Sequence, residues 1–531
     1  MSNVTERSWF RLRFGIWVVC LATIASGGRA EAPPGLIPMP ASVQTREGRF
    51  RWTTNTVVAA EGLAAREGAK LIDALAPALG FRPLTVGSPP ARDGIALSID
   101  IGLRERLGEE GYELDVRSES VVLRAPTSAG LFYGIQTMRQ LLPATVYGLA
   151  PARSEVWELP GVRIVDSPRF GWRGLLVDPA RHFIPVRDLE RYLDVMALHK
   201  FNRLQIHLTD DQGWRVEIRK YPDLVRLGSV MDFGALRRGA GAPVEGVGGF
   251  YTQDDIRRLV RYAAERYITL VPEIEMPAHT GAALVAYPRL ALYPDKLAAL
   301  PPEKRWTAHE GVLAPRPETV AFFQDVLAEV AELFPGPYIH IGGDEANIDH
   351  WKRSTEMQAF VRDHDLKDAA GLHSWFVRRM DDFLTARGRR LIGWDEILQG
   401  GLAPGAVVMS WRGEEGGIAA ARAGHSVIMA PTSHTYFDYY QGPAEHEPTA
   451  IGGLVPLEKV FRYEPIPEAL RLDRAKYVLG AQAQLWGEFI PTAEHRFYMI
   501  YPFVFFTEDA SRRCLAGRDR ERPSDRTEFV Q

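Results

Sequence analysis

Two adjacent carboxylates, Asp344 and Glu345, close the run Tyr338-Ile339-His340-Ile341-Gly342-Gly343. An apolar, β-prone segment of this kind reads as a buried parallel strand. Paired glycines let the backbone turn where a substrate could come close. Carboxylates at the C-terminal end of a strand are where an α/β enzyme places acid–base chemistry. An isolated Asp-Glu pair is more often a solvated helix start. The strand in front of this pair and the glycines between turn the reading toward catalysis.

Other chemistry-bearing residues stand at the ends of similar apolar runs. One run ends in Asp178, and another in His207, Asp210 and Asp211 followed by Trp214. Further ends carry Glu273, Glu275 and His279; Trp394, Asp395 and Glu396; Trp411; Tyr436 and Asp438; and Trp486 with Glu488. Every end is acidic, aromatic or both, while the strand bodies read as aliphatic. Aromatic faces pack against the apolar C–H faces of a pyranose, and carboxylates accept its hydroxyls, so the pattern points to a sugar. Each Trp taken singly is as readily a core residue. Metal chemistry competes, through His207, Asp210, His279 and Asp344. No His-x-His or His-x-x-x-His spacing supports it, and neither a catalytic metal nor a cofactor is expected.

The elements that must position these residues follow from periodicity. Strand candidates recur at 174–178, 203–210, 269–275, 338–344, 390–395, 406–411, 426–431 and 478–486, most of them followed by an amphipathic helix. Thr252 and Asp255 are spaced as a capping box before the stripe Ile256, Leu259, Val260, Ala263 and Ala264. Leu372, Trp375, Phe376, Met380, Phe383 and Leu384 share a second helical face, with Gly388 past its end. Eight β-then-α units predict a closed (β/α)8 barrel over 170–507. An open doubly wound sheet is the runner-up, without the Gly-rich phosphate fingerprint it usually carries. Upstream, 36–165 alternates strands (94–101, 120–124) and helices (63–79, 131–142), which predicts a smaller α+β domain.

The 531 residues suffice for two or three domains, and a net charge of −4 offers no electrostatic case for nucleic acid or an anionic membrane as partner. Arg7, Arg11 and Arg13 precede the apolar run 14–25, and Gly28-Arg29-Ala30 resembles a cleavage site. Residues 1–30 therefore read as a signal peptide, with an uncleaved anchor as the alternative. Export to the periplasm or the exterior is expected, with no membrane attachment after cleavage. Cys20 would leave with this segment, so Cys514 alone would form no internal disulfide. Residues 33–40 read as a linker. Residues 227–249, with seven glycines, read as a mobile rim loop, and the charged stretch 508–531 as disordered.

At this point the residues resemble a known family. His340-Ile-Gly-Gly-Asp344-Glu345 is similar to the signature of family 20 glycoside hydrolases, the β-N-acetylhexosaminidases. Arg173-Gly174 with Asp178, Arg181 and His182 resembles that family's first barrel strand, and His207 to Arg215 its second. Pro272 to His279 resembles its third, with Ala278 where Gly is usual. Gly393-Trp394-Asp395-Glu396, Trp411, Tyr436 with Asp438, and Trp486-Gly487-Glu488 follow in order. Gly111 to Leu114 and Gly130 to Gln140 resemble its α+β domain. The segment after Tyr498-Met-Ile-Tyr-Pro502 departs from the family.

The resemblance implies an exo-acting, retaining enzyme that removes terminal GlcNAc or GalNAc from an oligosaccharide. The substrate's own acetamido oxygen would attack the anomeric carbon and form an oxazolinium intermediate, an exception to the two-carboxylate rule. Glu345 would be the acid–base, with a pKa expected to be raised by burial and by the Asp344 charge. Asp344 would stay ionised and orient the acetamido N–H, and Tyr436 would donate to the acetamido oxygen. Trp394, Trp411 and Trp486 would wall the pocket. Arg173 and Glu488 would hold the outer hydroxyls, Asp438 would lie near the acetamido group, and Asp210 and His279 would support Glu345. The alternatives are a non-catalytic N-acetylhexosamine-binding protein and a disaccharide-releasing relative on the same barrel.

Overall fold

A strand buried on both faces must be apolar throughout, and the eight short segments of this kind in the C-terminal part of the chain close on one another. They are Trp172–Val177, Arg203–His207, Thr269–Glu273, Tyr338–His340, Arg390–Trp394, Val407–Ser410, Val427–Met429 and Val478–Leu485. All pair in parallel, and the eighth returns to the first to complete a barrel. Each predicted strand is present. The computed structural model describes residues 35–501 except 91, 153, 231–247, 307, 309 and 310. The expected signal peptide, both cysteines, most of the glycine-rich loop and the expected disordered tail lie outside the described residues.

The helices between the strands follow their sequence signals. Thr252 and Asp255 form the expected capping box on Gln253–Ala264, and Ile256, Leu259 and Ala263 are buried. Ala264, expected in the same stripe, is exposed instead. The helix Ala369–Thr385 buries Leu372, Phe376, Met380 and Leu384, one residue per turn, against the barrel wall.

The N-terminal part forms a seven-stranded mixed sheet with helices Leu63–Leu79 and Ser128–Gln140 packed against it. Its contact with the barrel is partly ionic. Arg173, at the start of the first barrel strand, donates to Glu110 Oε2 at 2.7 Å and to the carbonyls of Phe170 and Lys200 at 3.0 and 2.9 Å. Among the described residues no helix is long and apolar enough to cross a membrane.

Inside the barrel the strand bodies are less aliphatic than expected. Trp172, Leu176, Val271, Ile392, Val407, Met409 and Ile428 fill much of it. A column of polar side chains runs through them. Trp172 Nε1 donates to Gln482 Oε1 at 3.1 Å, Gln482 to Gln205 at 2.6 Å, and Gln205 to Glu273 Oε2 at 2.8 Å. Buried amides persist in such a place because each finds a partner. Register sets the top of this column: Glu273 lies opposite both His207 and His340 on its neighbouring strands.

Burial pushes the Glu110 carboxyl up, but Arg173 outweighs it and holds the group below its usual value. A carboxyl depressed in the folded state adds stability above its unfolded pKa and loses it as pH falls through the folded value. Glu110→Gln should therefore destabilise the protein by about 3 kcal/mol at pH 7, as expected for breaking a largely buried pair. The gap should close below pH 4, in urea unfolding, while KM stays unchanged. An unaltered midpoint at pH 7 would show that this pair does not tie the sheet domain to the barrel.

Candidate active site

The turn after the fourth strand explains its two glycines. Gly342 has φ +68°, and a Cβ there would lie 1.6 Å from Glu275 Oε2; Gly343 has φ +90°, and its Cβ would meet Ile397 Cγ2 at 2.7 Å. The glycines make room for protein side chains from the third and fifth strand ends. The expected close approach of a substrate is not what this room serves. Beyond them Glu345 itself adopts φ 48°, as does His279 at φ 52°. Two non-glycine residues in the left-handed region within one cluster is the kind of strain that functional sites retain.

His279 stands between the acids. Its Nε2 lies 3.4 Å from Glu345 Oε2 and 3.6 Å from Asp344 Oδ2, and its Nδ1 lies 3.4 Å from Asp210 Oδ1. Burial disfavours the imidazolium, but Asp210, with help from Asp211 and Glu345, outweighs it and raises the pKa of His279 well above the ordinary histidine value. Asp210 is anchored in turn. Its Oδ2 is 2.8 Å from His207 Nε2 and 2.7 Å from Arg181 Nη2. His207 also places Nδ1 2.7 Å from Glu273 Oε2. Despite burial, these anions raise its pKa to about 10.

Metal-ligand atoms do converge in two places, His207/Glu273/Glu275 and Asp210/Asp211/His279. In both clusters each histidine nitrogen already faces a carboxylate: His207 Nδ1 faces Glu273 and Nε2 Asp210, and His279 Nδ1 faces Asp210 and Nε2 Glu345. The donor sets fit an ion-pair network better than a metal centre.

The two neighbouring acids differ sharply. The Asp344 side chain is only 13% exposed, and its buried Oδ1 has no hydrogen-bond partner among the described residues. Burial raises its pKa, with the Glu273 and Glu345 charges adding to the effect and His279 opposing it. The Glu345 side chain is 58% exposed. Its hydrogen bond to His279 lowers its pKa in the free protein, with burial only partly opposing. This reverses the expectation of a raised Glu345. The residue projects out of the turn, so neither burial nor the Asp344 charge controls it.

Around these acids lies a cavity of about 180 Å³. Trp394, Trp411, Tyr436 and Trp486 wall it, and Arg181, Asp438, Tyr439, Ile451 and Glu488 are also in the lining. Trp394 Nε1 donates to Glu273 Oε1 at 3.0 Å, so the network that charges His207 also fixes this ring. Trp411 lies near-parallel to Tyr436, 26° between planes and 6.3 Å between centroids. Asp438 has both oxygens buried without a partner among the described residues. Burial, then the nearby Glu488 charge, pushes its pKa well up.

The structure thus gathers Asp344, Glu345, Asp210, His279, Trp394, Trp411, Tyr436, Asp438, Trp486 and Glu488 into one pocket. Arg173 is not among them. It sits at the start of its strand, on the opposite end of the barrel from the strand C-termini, and is bound to Glu110. The pocket cation is Arg181, in the loop beyond Asp178. Its Nη1 lies 3.0 Å from Asp178 and 3.4 Å from Glu488, and its guanidinium is 5.3 Å from the Trp486 ring centre. Strand direction alone favours Arg181 over Arg173, because only the C-terminal ends face the site. Glu275, Tyr439 and Ile451 also line the pocket without having been singled out for it. Glu275 stands at the end of the third strand run, but Ile451 arrives from a long loop and carries no sequence signal.

Asp344 carries a cost in the free protein. A carboxyl raised in the folded state opposes folding above its unfolded pKa and is neutral in effect at lower pH, where both states are protonated. Asp344→Asn should raise the unfolding temperature at pH 7, and the gain should vanish near pH 3. A loss at pH 7 would mean that attraction to His279 outweighs burial.

Family models match nearly the whole chain: "Glycosyl hydrolase family 20, catalytic domain" over residues 170–507 and "domain 2" of that family over 33–167. The chain is 41% identical over 525 residues to a β-hexosaminidase of Porphyromonas gingivalis, covering 96% of this chain and 65% of that protein. It therefore spans about 65% of that relative's length. Among solved structures it superimposes on the β-N-acetylhexosaminidase of Streptomyces coelicolor with a TM-score of 0.78 at 33% identity, covering 91% of this chain and 92% of the other. It also matches an exo-β-N-acetylglucosaminidase of Vibrio harveyi in complex with N-acetylglucosamine, with a TM-score of 0.77 at 30% identity, over 91% and 74% of the two chains.

Proposed function

The chain belongs to glycosyl hydrolase family 20, and from that premise we propose that it is an exo-acting, retaining β-N-acetylhexosaminidase that cleaves terminal GlcNAc or GalNAc by substrate-assisted catalysis. The observation that carries this reading is the contrast between Asp344 and Glu345. A retaining enzyme with a protein nucleophile needs a second carboxylate facing the acid across the bond, about 5–5.5 Å away. Here the two are chain neighbours that share one histidine, one largely enclosed and one exposed. The remaining pocket acids suit other work: Asp210 and Glu488 are paired with Arg181, and burial raises the pKa of both Glu275 and Asp438. The attacking atom is then the substrate's acetamido oxygen.

Asp344 Oδ1 is positioned to accept the acetamido N–H, a hydrogen bond that favours its ionised form and turns the carbonyl oxygen toward the anomeric carbon. The Tyr436 hydroxyl donates to that oxygen. Trp394, Trp411 and Trp486 exclude water from the acetyl group. Glu345 donates a proton to the leaving oxygen. A glycan covering it removes water and raises its pKa toward that of an acid. After departure Glu345, as carboxylate beside His279, takes a proton from the water that opens the oxazolinium ring. Arg181 and Glu488 hold the outer hydroxyls and make the pocket blind, which gives exo action. We place the reaction outside the cytoplasm, on the strength of the Arg-flanked apolar segment 14–25.

Asp344→Asn should lose at least a hundredfold in kcat on aryl N-acetylhexosaminides, and a thiazoline mimic of the cyclic intermediate should bind tightly to the wild type. Covalent capture of the sugar on a carboxylate of the protein would end this reading. Glu345→Gln should lose far more on substrates with poor leaving groups than on activated aryl glycosides. Arg181→Met should raise KM far more than Arg173→Met, measured on the same substrate; the reverse order would restore Arg173 to the site.

A further inference from the structure

Trp411 forms one wall of the pocket, yet the loop that carries it is held from a neighbouring strand end. The turn Asp395–Leu398 follows the fifth strand and presents two acids to that loop. Asp395 Oδ2 accepts from the backbone N–H groups of Trp411 and Arg412 at 3.2 and 3.3 Å. Its other oxygen accepts from Arg412 Nε at 2.6 Å. Glu396 reaches the ring itself: its Oε2 accepts from the Trp411 indole N–H at 2.9 Å, and its Oε1 lies 3.5 Å from Arg412 Nε. Both acids are buried, whereas Trp411 and Arg412 are not.

Resting on the proposed function, we propose that Glu396 is a positioning residue that sets the acyl-group selectivity of the pocket by fixing the plane of the Trp411 ring. An indole has two side-chain torsions and one donor. Its neighbour Tyr436 is a near-parallel ring that permits sliding. The hydrogen bond to Glu396 is the directional contact that prevents it. With the ring fixed, the pocket is cut to an acetyl group; with the ring released, it can widen by the methylene of a propionyl group.

The charged groups facing Glu396 are Asp344 from the fourth strand turn, Asp395 on its own turn, and Arg412 from the loop after the sixth strand. Burial, then the Asp344 charge, raises its pKa to about 7. Glutamine at this position keeps an acceptor for the indole and removes the titration. Alanine removes both.

The test compares kcat/KM for N-acetyl and N-propionyl aryl glucosaminides across pH for the wild type, Glu396→Gln and Glu396→Ala. The alanine variant should shift the propionyl-to-acetyl ratio upward by about tenfold, the worth of one hydrogen bond to a charged acceptor. The glutamine variant should keep the wild-type ratio but lose a break near pH 7 in the profile. An unchanged ratio in the alanine variant would overturn the proposal, as would a crystal structure of that variant with Trp411 unmoved. A wild type that turns over neither glycoside would instead overturn the proposed function, and the position of Trp411 in the variant crystal would still decide the anchoring.

Discussion

Carboxylates crowd the mouth of this barrel, and the structure depends on how their charge is offset. Asp178, Asp210, Glu273, Glu275, Asp344, Glu396, Asp438 and Glu488 sit close together in a region poor in water. Like charges at such range repel strongly in a low dielectric. Two devices resolve it. Cations are interleaved: His207 between Asp210 and Glu273, His279 between Asp210 and the acidic pair, and Arg181 across Asp178, Asp210 and Glu488. At Glu275 and Asp438 burial outweighs the nearby cations, His279 and Arg181 respectively, and raises the pKa of each acid.

That solution also orders the aromatic wall. Glu273 holds His207 and the Trp394 indole at once, and Glu396 holds Trp411. Rings and acids are therefore one network. The polar column through the barrel interior, from Trp172 by way of Gln482 and Gln205 to Glu273, extends it far below the pocket. A buried network of this kind is costly when any member lacks a partner, which rigidifies the whole. Asp344, like Glu275 and Asp438, keeps a partnerless oxygen among the described residues, and it is the one given the substrate's amide in the proposed reaction. Stability is surrendered where chemistry needs an unsatisfied group.

Most of the architecture was legible in the chain. Strand runs, the capping box at Thr252 and Asp255, and the helical face at Leu372 to Leu384 are local patterns, set by the period of side chains along an element. The strand-end rule likewise located the acids and rings of the pocket. It failed where it was not applied strictly, at Arg173, whose place at the start of its strand points it to the sheet domain. The interior glutamines went unremarked because a buried amide has no sequence signature; only partners on distant strands make it tolerable.

Residue types and spacing by themselves determined that a barrel with acids and aromatic rings at one rim would form, because periodicity and strand direction are properties of the chain alone. Tertiary structure decided which acid is buried and which is exposed, which histidines carry charge, and what the paired glycines make room for. Those outcomes depend on desolvation and on charges brought together from separate strands, distances that no spacing along the chain encodes.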